Sequence, residues 1–162
     1  MKEHRSPEGG QPFGDRPAHT LMTEIVLPSH TNALGTIFGG VVMSWIDIAG
    51  AISAMRYARS AVVTVSIDYL HFIVPIKIGY TVLIDAWVNY AGRTSMEIET
   101  VVRAENTITG EIRQATQAFL TYVAVDEFGR AKGVPPFTPR NPLEKKRFHE
   151  GEARKQARVK GP

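Results

Sequence analysis

From Ile37 to Met55 the chain runs for 19 residues with one charged side chain, Asp47, near its middle. The run approaches the length of a membrane span. A carboxylate at mid-membrane costs about 2.5–3.5 kcal/mol, the stretch holds Gly39-Gly40, Ser44 and Ser53, and no aromatic belt flanks it, so a buried helix is the better reading. The segment from Gly39 to about Arg59 is rich in Ala, Met, Ile and Val, which predicts a helix of about 20 residues and about 30 Å. It is apolar on almost every side, so other parts of the fold must wrap it.

The wrapping material is legible as strands. Leu21–Leu27 is a short apolar run stopped by Pro28, and 28–38 is a loop in which Asn32 and Gly35 suit tight turns. After the helix come 61–74, 80–90, 94–106 and 111–125, rich in β-branched and aromatic residues and separated by short connections containing Gly or Pro. Such connections are hairpin signals, so these four strands are expected as a sequential antiparallel meander, with the earlier strand free to join. The burial solution is an α+β domain in which a curved sheet of five strands wraps one central helix. With 162 residues the chain has room for one such domain, read here as 21–132. Residues 1–20, with three prolines, three glycines and no apolar run, read as a disordered leader without a secretory signal. Residues 133–162 read as a proline-rich exit and a basic tail.

Charge refines this division. The formal net charge of +3 could suggest nucleic acid, but residues 133–162 hold eight Lys/Arg against three Asp/Glu, which leaves the remainder slightly acidic. The basic character therefore belongs to the tail, read as a solvated polyelectrolyte without an apolar stripe and dispensable for folding, and no nucleic-acid partner is expected. Cysteine is absent, which removes disulfides, thiolate metal sites and cysteine nucleophiles and makes the cytoplasm the expected compartment.

Two features carry chemistry. A carboxylate in an apolar helix is costly unless paired, protonated or used, so Asp47 is either a hydrogen-bonded core residue or a general base or nucleophile. Gly39-Gly40 at the helix start either serves packing or lets a ligand reach unpaired N–H groups at the positive end of the helix dipole. Other signatures fail. GTIFGG lacks dinucleotide spacing, no G-x-S-x-G occurs, and the five histidines form no H-x-x-x-H pattern, so no metal or redox cofactor is expected.

The segment NALGTIFGGVVMSWIDIAGA, Asn32–Ala51, resembles the signature of hotdog-fold acyl-CoA thioesterases, the YciA-like cytosolic acyl-CoA hydrolases. Val62–Ile67, His71–Ile76, the turn Gly92–Ser95 and Phe119–Arg130 are similar to that family too, so the resemblance covers about 21–132. It implies the hotdog fold and hydrolysis of acyl-CoA to fatty acid and coenzyme A, with coenzyme A as part of the substrate and no separate cofactor. By matching position it implies Asp47 as the catalytic carboxylate, Gly39 as the helix N-terminal amide that polarises the thioester carbonyl, and Asn32 as a polar group orienting water or substrate. Thr64 would hold the attacking water, with Ser66, taken to share its strand face, as the weaker option. Arg93, Thr94 and Ser95 match a turn that lies along the coenzyme A phosphates. His30 and Thr36 depart from the acidic residues common in this loop, which bears on acyl-chain preference. General-base and nucleophilic routes need the same carboxylate in the same place. Two other functions fit the fold: a non-catalytic acyl-CoA sensor, and an acyl-thioester dehydratase, for which His71 is poorly placed. An obligate homodimer is expected because one curved sheet cannot cover the helix circumference, and the resemblance implies that Asn32 and Asp47 meet from opposite subunits, in a trimer of dimers.

Overall fold

The central helix does fill the concave side of a sheet. The computed structural model describes residues 18–160. Its elements are β1 (Thr20–Ile25), a 3₁₀ turn (Pro28–His30), α1 (Gly39–Ala58), β2 (Ala61–Phe72), β3 (Thr81–Ala91), β4 (Ser95–Asn106), β5 (Glu111–Val125) and α2 (Pro142–Lys160). The leader expectation lies outside the described residues over 1–17, whereas Thr20 already starts β1. α1 has Phe38 as its N-cap, whose extended backbone comes with no side-chain cap. It ends at Arg59, whose left-handed backbone returns its N–H to the Met55 carbonyl, just before the β-branched run of β2.

Val42, Ile46 and Ala49 of α1 lie in one core cluster with Ile84 and Val88 of β3, Ile98 of β4 and Leu120 and Tyr122 of β5. Burying each large apolar side chain stabilises the fold by about 1.5–3 kcal/mol. The strand order is β1-β3-β4-β5-β2, antiparallel throughout. This corrects the expected meander: β3, β4 and β5 are sequential neighbours, but β2 pairs with β5 at one edge while β3 pairs with β1 towards the other. The β2–β3 connection is therefore a crossover. It is pinned at its far end, where the Val26 N–H donates to the Tyr80 carbonyl at 2.9 Å and the Gly79 N–H donates to the Val26 carbonyl at 2.9 Å.

A second correction concerns the tail, which forms α2 and packs on the outer face of the sheet. Its start is capped, because Asn141 Oδ1 accepts the Glu144 N–H at 2.9 Å and Pro142 occupies the first turn, where no N–H is needed. Glu144 takes the Arg140 N–H and guanidinium, each at 2.7 Å. Burial raises the Glu144 pKa, but the Arg140 bonds outweigh it and hold the carboxyl below its usual range. Docking is ionic and aromatic. Arg154 bonds Glu97, at 2.6 Å from Nη2, and lies 3.8 Å over the Phe119 ring. Arg147 reaches Glu99 at 3.4 Å, Arg158 binds Asp68, and Phe148 stacks on Phe137. Glu97 is 1% exposed and Glu99 6%, so the arginines of α2 stand in for the hydration these carboxylates lose.

Candidate active site

Asp47 sits half-buried two turns into α1, where that helix crosses β5 and β2. Two hydroxyls aim at it. Thr64 Oγ1 on β2 donates to Asp47 Oδ1 at 2.7 Å, and the Tyr122 phenol on β5 lies 3.0 Å from the same oxygen and 2.9 Å from the Asp47 carbonyl. Thr64 and Tyr122 are register partners, so one row of the sheet presents both donors. Burial pushes the Tyr122 pKa far up, and the adjacent Asp47 charge adds to this, so the phenol stays protonated and remains a donor. Oδ2 of Asp47 accepts no hydrogen bond among the described residues. One oxygen is thus held by two hydroxyls.

Sequence reasoning gave Tyr122 no role. The available signal was Gly50, three residues after Asp47 on α1: a Cβ there would stand 2.5 Å from the Tyr122 oxygen, so Gly50 makes room for the phenol beside the carboxylate. Ser66 is corrected. A bulge at Val65 makes Thr64 pair with Tyr122 and Ser66 with Thr121, which places Ser66 on the opposite face from Thr64.

The other predicted residues lie elsewhere in the chain. Asn32 closes its own loop: Oδ1 accepts the Leu34 N–H at 2.9 Å and the Thr36 N–H at 3.3 Å, around Gly35 in the left-handed region at φ +72°. Gly39 opens α1, eight residues before Asp47, which is roughly 12 Å along the axis at 1.5 Å per residue. Packing contributes to both glycines: a Cβ on Gly39 would stand 3.3 Å from the Phe72 ring, and one on Gly40 would stand 2.5 Å from the Phe38 ring. Beside Gly39 is a depression of about 280 Å³ with Ile37, Phe72, Ile73 and Val74 in its wall. The turn bearing Arg93, Thr94 and Ser95 joins β3 to β4, closed by the Gly92 N–H donating to the Ser95 carbonyl at 2.8 Å. Register runs from Ser95 through Val123 to Val63, so the turn lies two strand spacings, roughly 10 Å, from the row of Thr64. Arg93 is exposed. The structure therefore brings Asp47 and Thr64 together, with Tyr122, and leaves Asn32, Gly39 and Arg93–Ser95 apart from them within one chain.

Among the described residues no group of three His, Cys, Asp or Glu is placed to hold a metal ion, and no helix is long and apolar enough to cross a membrane. The family model of the thioesterase superfamily matches residues 34–111. The uncharacterized acyl-CoA thioester hydrolase YkhA of Bacillus subtilis (strain 168) is 40% identical over 119 residues, 74% of this chain and 69% of its own. An apo-hexameric acyl-CoA thioesterase of known structure is 44% identical, with a TM-score of 0.84 over 89% of this chain and 92% of its own. The acyl-CoA hydrolase of Staphylococcus aureus, solved with butyryl coenzyme A, coenzyme A and coenzyme A disulfide, is 35% identical, with a TM-score of 0.80 over 88% of this chain and 89% of its own. The curved antiparallel sheet around one helix is the hotdog fold of these enzymes, and the chain belongs to the acyl-CoA thioester hydrolases of the thioesterase superfamily.

Proposed function

We propose that this protein hydrolyses acyl-CoA to a free fatty acid and coenzyme A with Asp47 as general base. The observation that carries the reading is a half-buried carboxylate with Oδ1 fixed by Thr64 and Tyr122 and Oδ2 unoccupied by any described donor. A water on Oδ2 gives its proton to the carboxylate as its oxygen attacks the thioester carbon. The carbonyl oxygen, becoming anionic, takes N–H groups at the start of α1 around Gly39, and the C–S bond then breaks to release the coenzyme A thiolate. No redox cofactor or metal enters this scheme. Supporting it, the Staphylococcus aureus hydrolase has been solved as separate alanine variants of an asparagine, an aspartate and a threonine whose spacing along that chain equals that of Asn32, Asp47 and Thr64 here.

The roughly 12 Å between Gly39 and Asp47 along α1 is too long for both to act on one thioester, whose reacting atoms must lie about 3 Å from each group. We therefore assign each site to two copies of the chain, with Asn32 and Gly39 from one and Asp47 and Thr64 from the other. Exposed apolar side chains support a second copy: Val63, Val65 and Ile67 on the edge strand β2, and Met43, Ile48 and Met55 on α1. The hexameric relative favours a trimer of such dimers. Arg93, Thr94 and Ser95 are assigned to the coenzyme A phosphates, and the protein to the cytoplasm, in keeping with a chain that has no cysteine.

The test is thiol release from acyl-CoAs of graded chain length, read with a thiol-reactive dye to which this cysteine-free protein adds no background. Asp47→Asn should fold and lose about 10²- to 10⁴-fold in kcat. More than half of the starting kcat would remove Asp47 from catalysis, and acyl-CoA binding without thiol release would make the protein a sensor. Single turnover in ¹⁸O-water should leave Asp47 unlabelled, whereas label in its carboxylate would make it the nucleophile.

A further inference from the structure

One half-buried cation of α2 meets no carboxylate among the described residues. Arg147, Arg154 and Arg158 each lie within 4.0 Å of a carboxylate on the sheet. Lys155 is half-buried on the same helix, yet among the described residues its ammonium has no carboxylate partner. It stands 3.5 Å from the Tyr90 hydroxyl and 5.3 Å from the centre of that ring. It also lies over Gly92, where any Cβ would collide with it. The next residue, Arg93, is exposed and also lacks an ion pair among the described residues. The chain leading to α2 is tied to the same turn, because the Val134 N–H donates to the Arg93 carbonyl at 3.0 Å. Two cations without carboxylates thus belong to this turn, Arg93 within it and Lys155 over Gly92, whose missing side chain makes room for the ammonium.

We propose that Lys155 is a binding residue for the phosphorylated nucleotide end of coenzyme A, completing with Arg93 a two-cation clasp over the Gly92–Ser95 turn. The proposal rests on acyl-CoA being the substrate, and it places part of the site on a helix beyond residues 34–111, which the family model matches. A phosphate between the two side chains accepts a charge-assisted hydrogen bond from each. Lysine serves here as a point charge, while the planar Arg93 fork sets direction.

The experiment is calorimetric titration of the full-length protein with coenzyme A, with 3′,5′-ADP and with a pantetheine thioester that lacks the nucleotide. Lys155→Met keeps the aliphatic stem over Tyr90. It should weaken coenzyme A and 3′,5′-ADP by about five- to twenty-fold, flatten the salt dependence of both, and leave the pantetheine thioester alone. Lys155→Arg should restore most of the lost affinity, and combination with Arg93→Ala should give less than the sum of the two effects, because the residues share one anion. Wild type that binds coenzyme A while Lys155→Met binds it equally well overturns the proposal and leaves the hydrolase reading intact. Equal weakening of all three ligands, with a lowered Tm, makes Lys155 a docking residue only and also overturns it. Wild type that binds no coenzyme A refutes the hydrolase reading and this one together.

Discussion

Tyr122→Phe removes one oxygen from the centre of the molecule and tests whether Asp47, the carboxylate proposed as general base, needs two anchors. Tyr122 is 0% exposed, and phenylalanine keeps the ring in the same packing against α1. What is lost is one O–H, shared between Asp47 Oδ1 at 3.0 Å and the Asp47 carbonyl at 2.9 Å. That carbonyl lies mid-helix with a backbone partner of its own, so the stability cost should be small. The bond to the carboxylate belongs to the charge-assisted class, worth about 1.5–3 kcal/mol, or roughly 10- to 150-fold if all of it is expressed in the transition state. Thr64 still holds Oδ1 at 2.7 Å, so the lower end applies: kcat should fall about 10- to 30-fold with little change in KM. Adding Thr64→Val should then cost more than Thr64→Val alone costs in wild type, because the last anchor goes. Thiol release under saturating acyl-CoA reads all four proteins. A Tyr122→Phe enzyme within a factor of two of wild type in kcat would refute the two-anchor account. So would a loss expressed wholly in KM, since the phenol would then serve binding.

Arg154→Met should destabilise the fold by about 3 kcal/mol, the low end for orphaning a buried charge, because Arg158 remains 3.6 Å from Glu97; a Tm drop of roughly 6–12 °C is expected, and Glu97→Gln in the same chain should return most of it. An unchanged Tm would show that α2 is not held by this pair. For the proposed composite site, Asn32→Ala and Asp47→Asn proteins, each nearly inactive alone, should regain about a quarter of wild-type activity after subunit exchange, because half the dimers are mixed and one of their two sites is intact. No recovery despite exchange seen by mass spectrometry would put both residues in one subunit.

The helix, the strands and Asp47 were legible because each is written in a local pattern: an apolar run, β-branched stretches, and one charge where none is cheap. The sheet order was not. Pro75 and Gly79 make the β2–β3 link look like a hairpin, and only pairing of Tyr80 and Gly79 with Val26, some 50 residues earlier, reveals a crossover. Ser66 was misplaced for a related reason. Alternation assigns faces only while register is unbroken, and the bulge at Val65 turns Ser66 to the face opposite Thr64.

α2 shows why charge composition misled most. Glu97 and Glu99 alternate with apolar residues on β4, the pattern of a solvated sheet face, and the last 20 residues carry the pattern of a solvated tail. Each reading was reasonable alone, because a charged surface needs water only when nothing else answers it. Spacing held the better clue: Arg147, Arg154 and Arg158 stand seven and four residues apart, which puts them on one side of a helix with Gly151 between them. A Cβ on Gly151 would stand 2.9 Å from both Glu97 Oε1 and the Tyr90 Cβ, so that glycine lets the helix settle onto the acids. Once it has settled, Lys155 stands beside Gly92, and the helix that neutralises the sheet also brings a cation to the turn that carries Arg93.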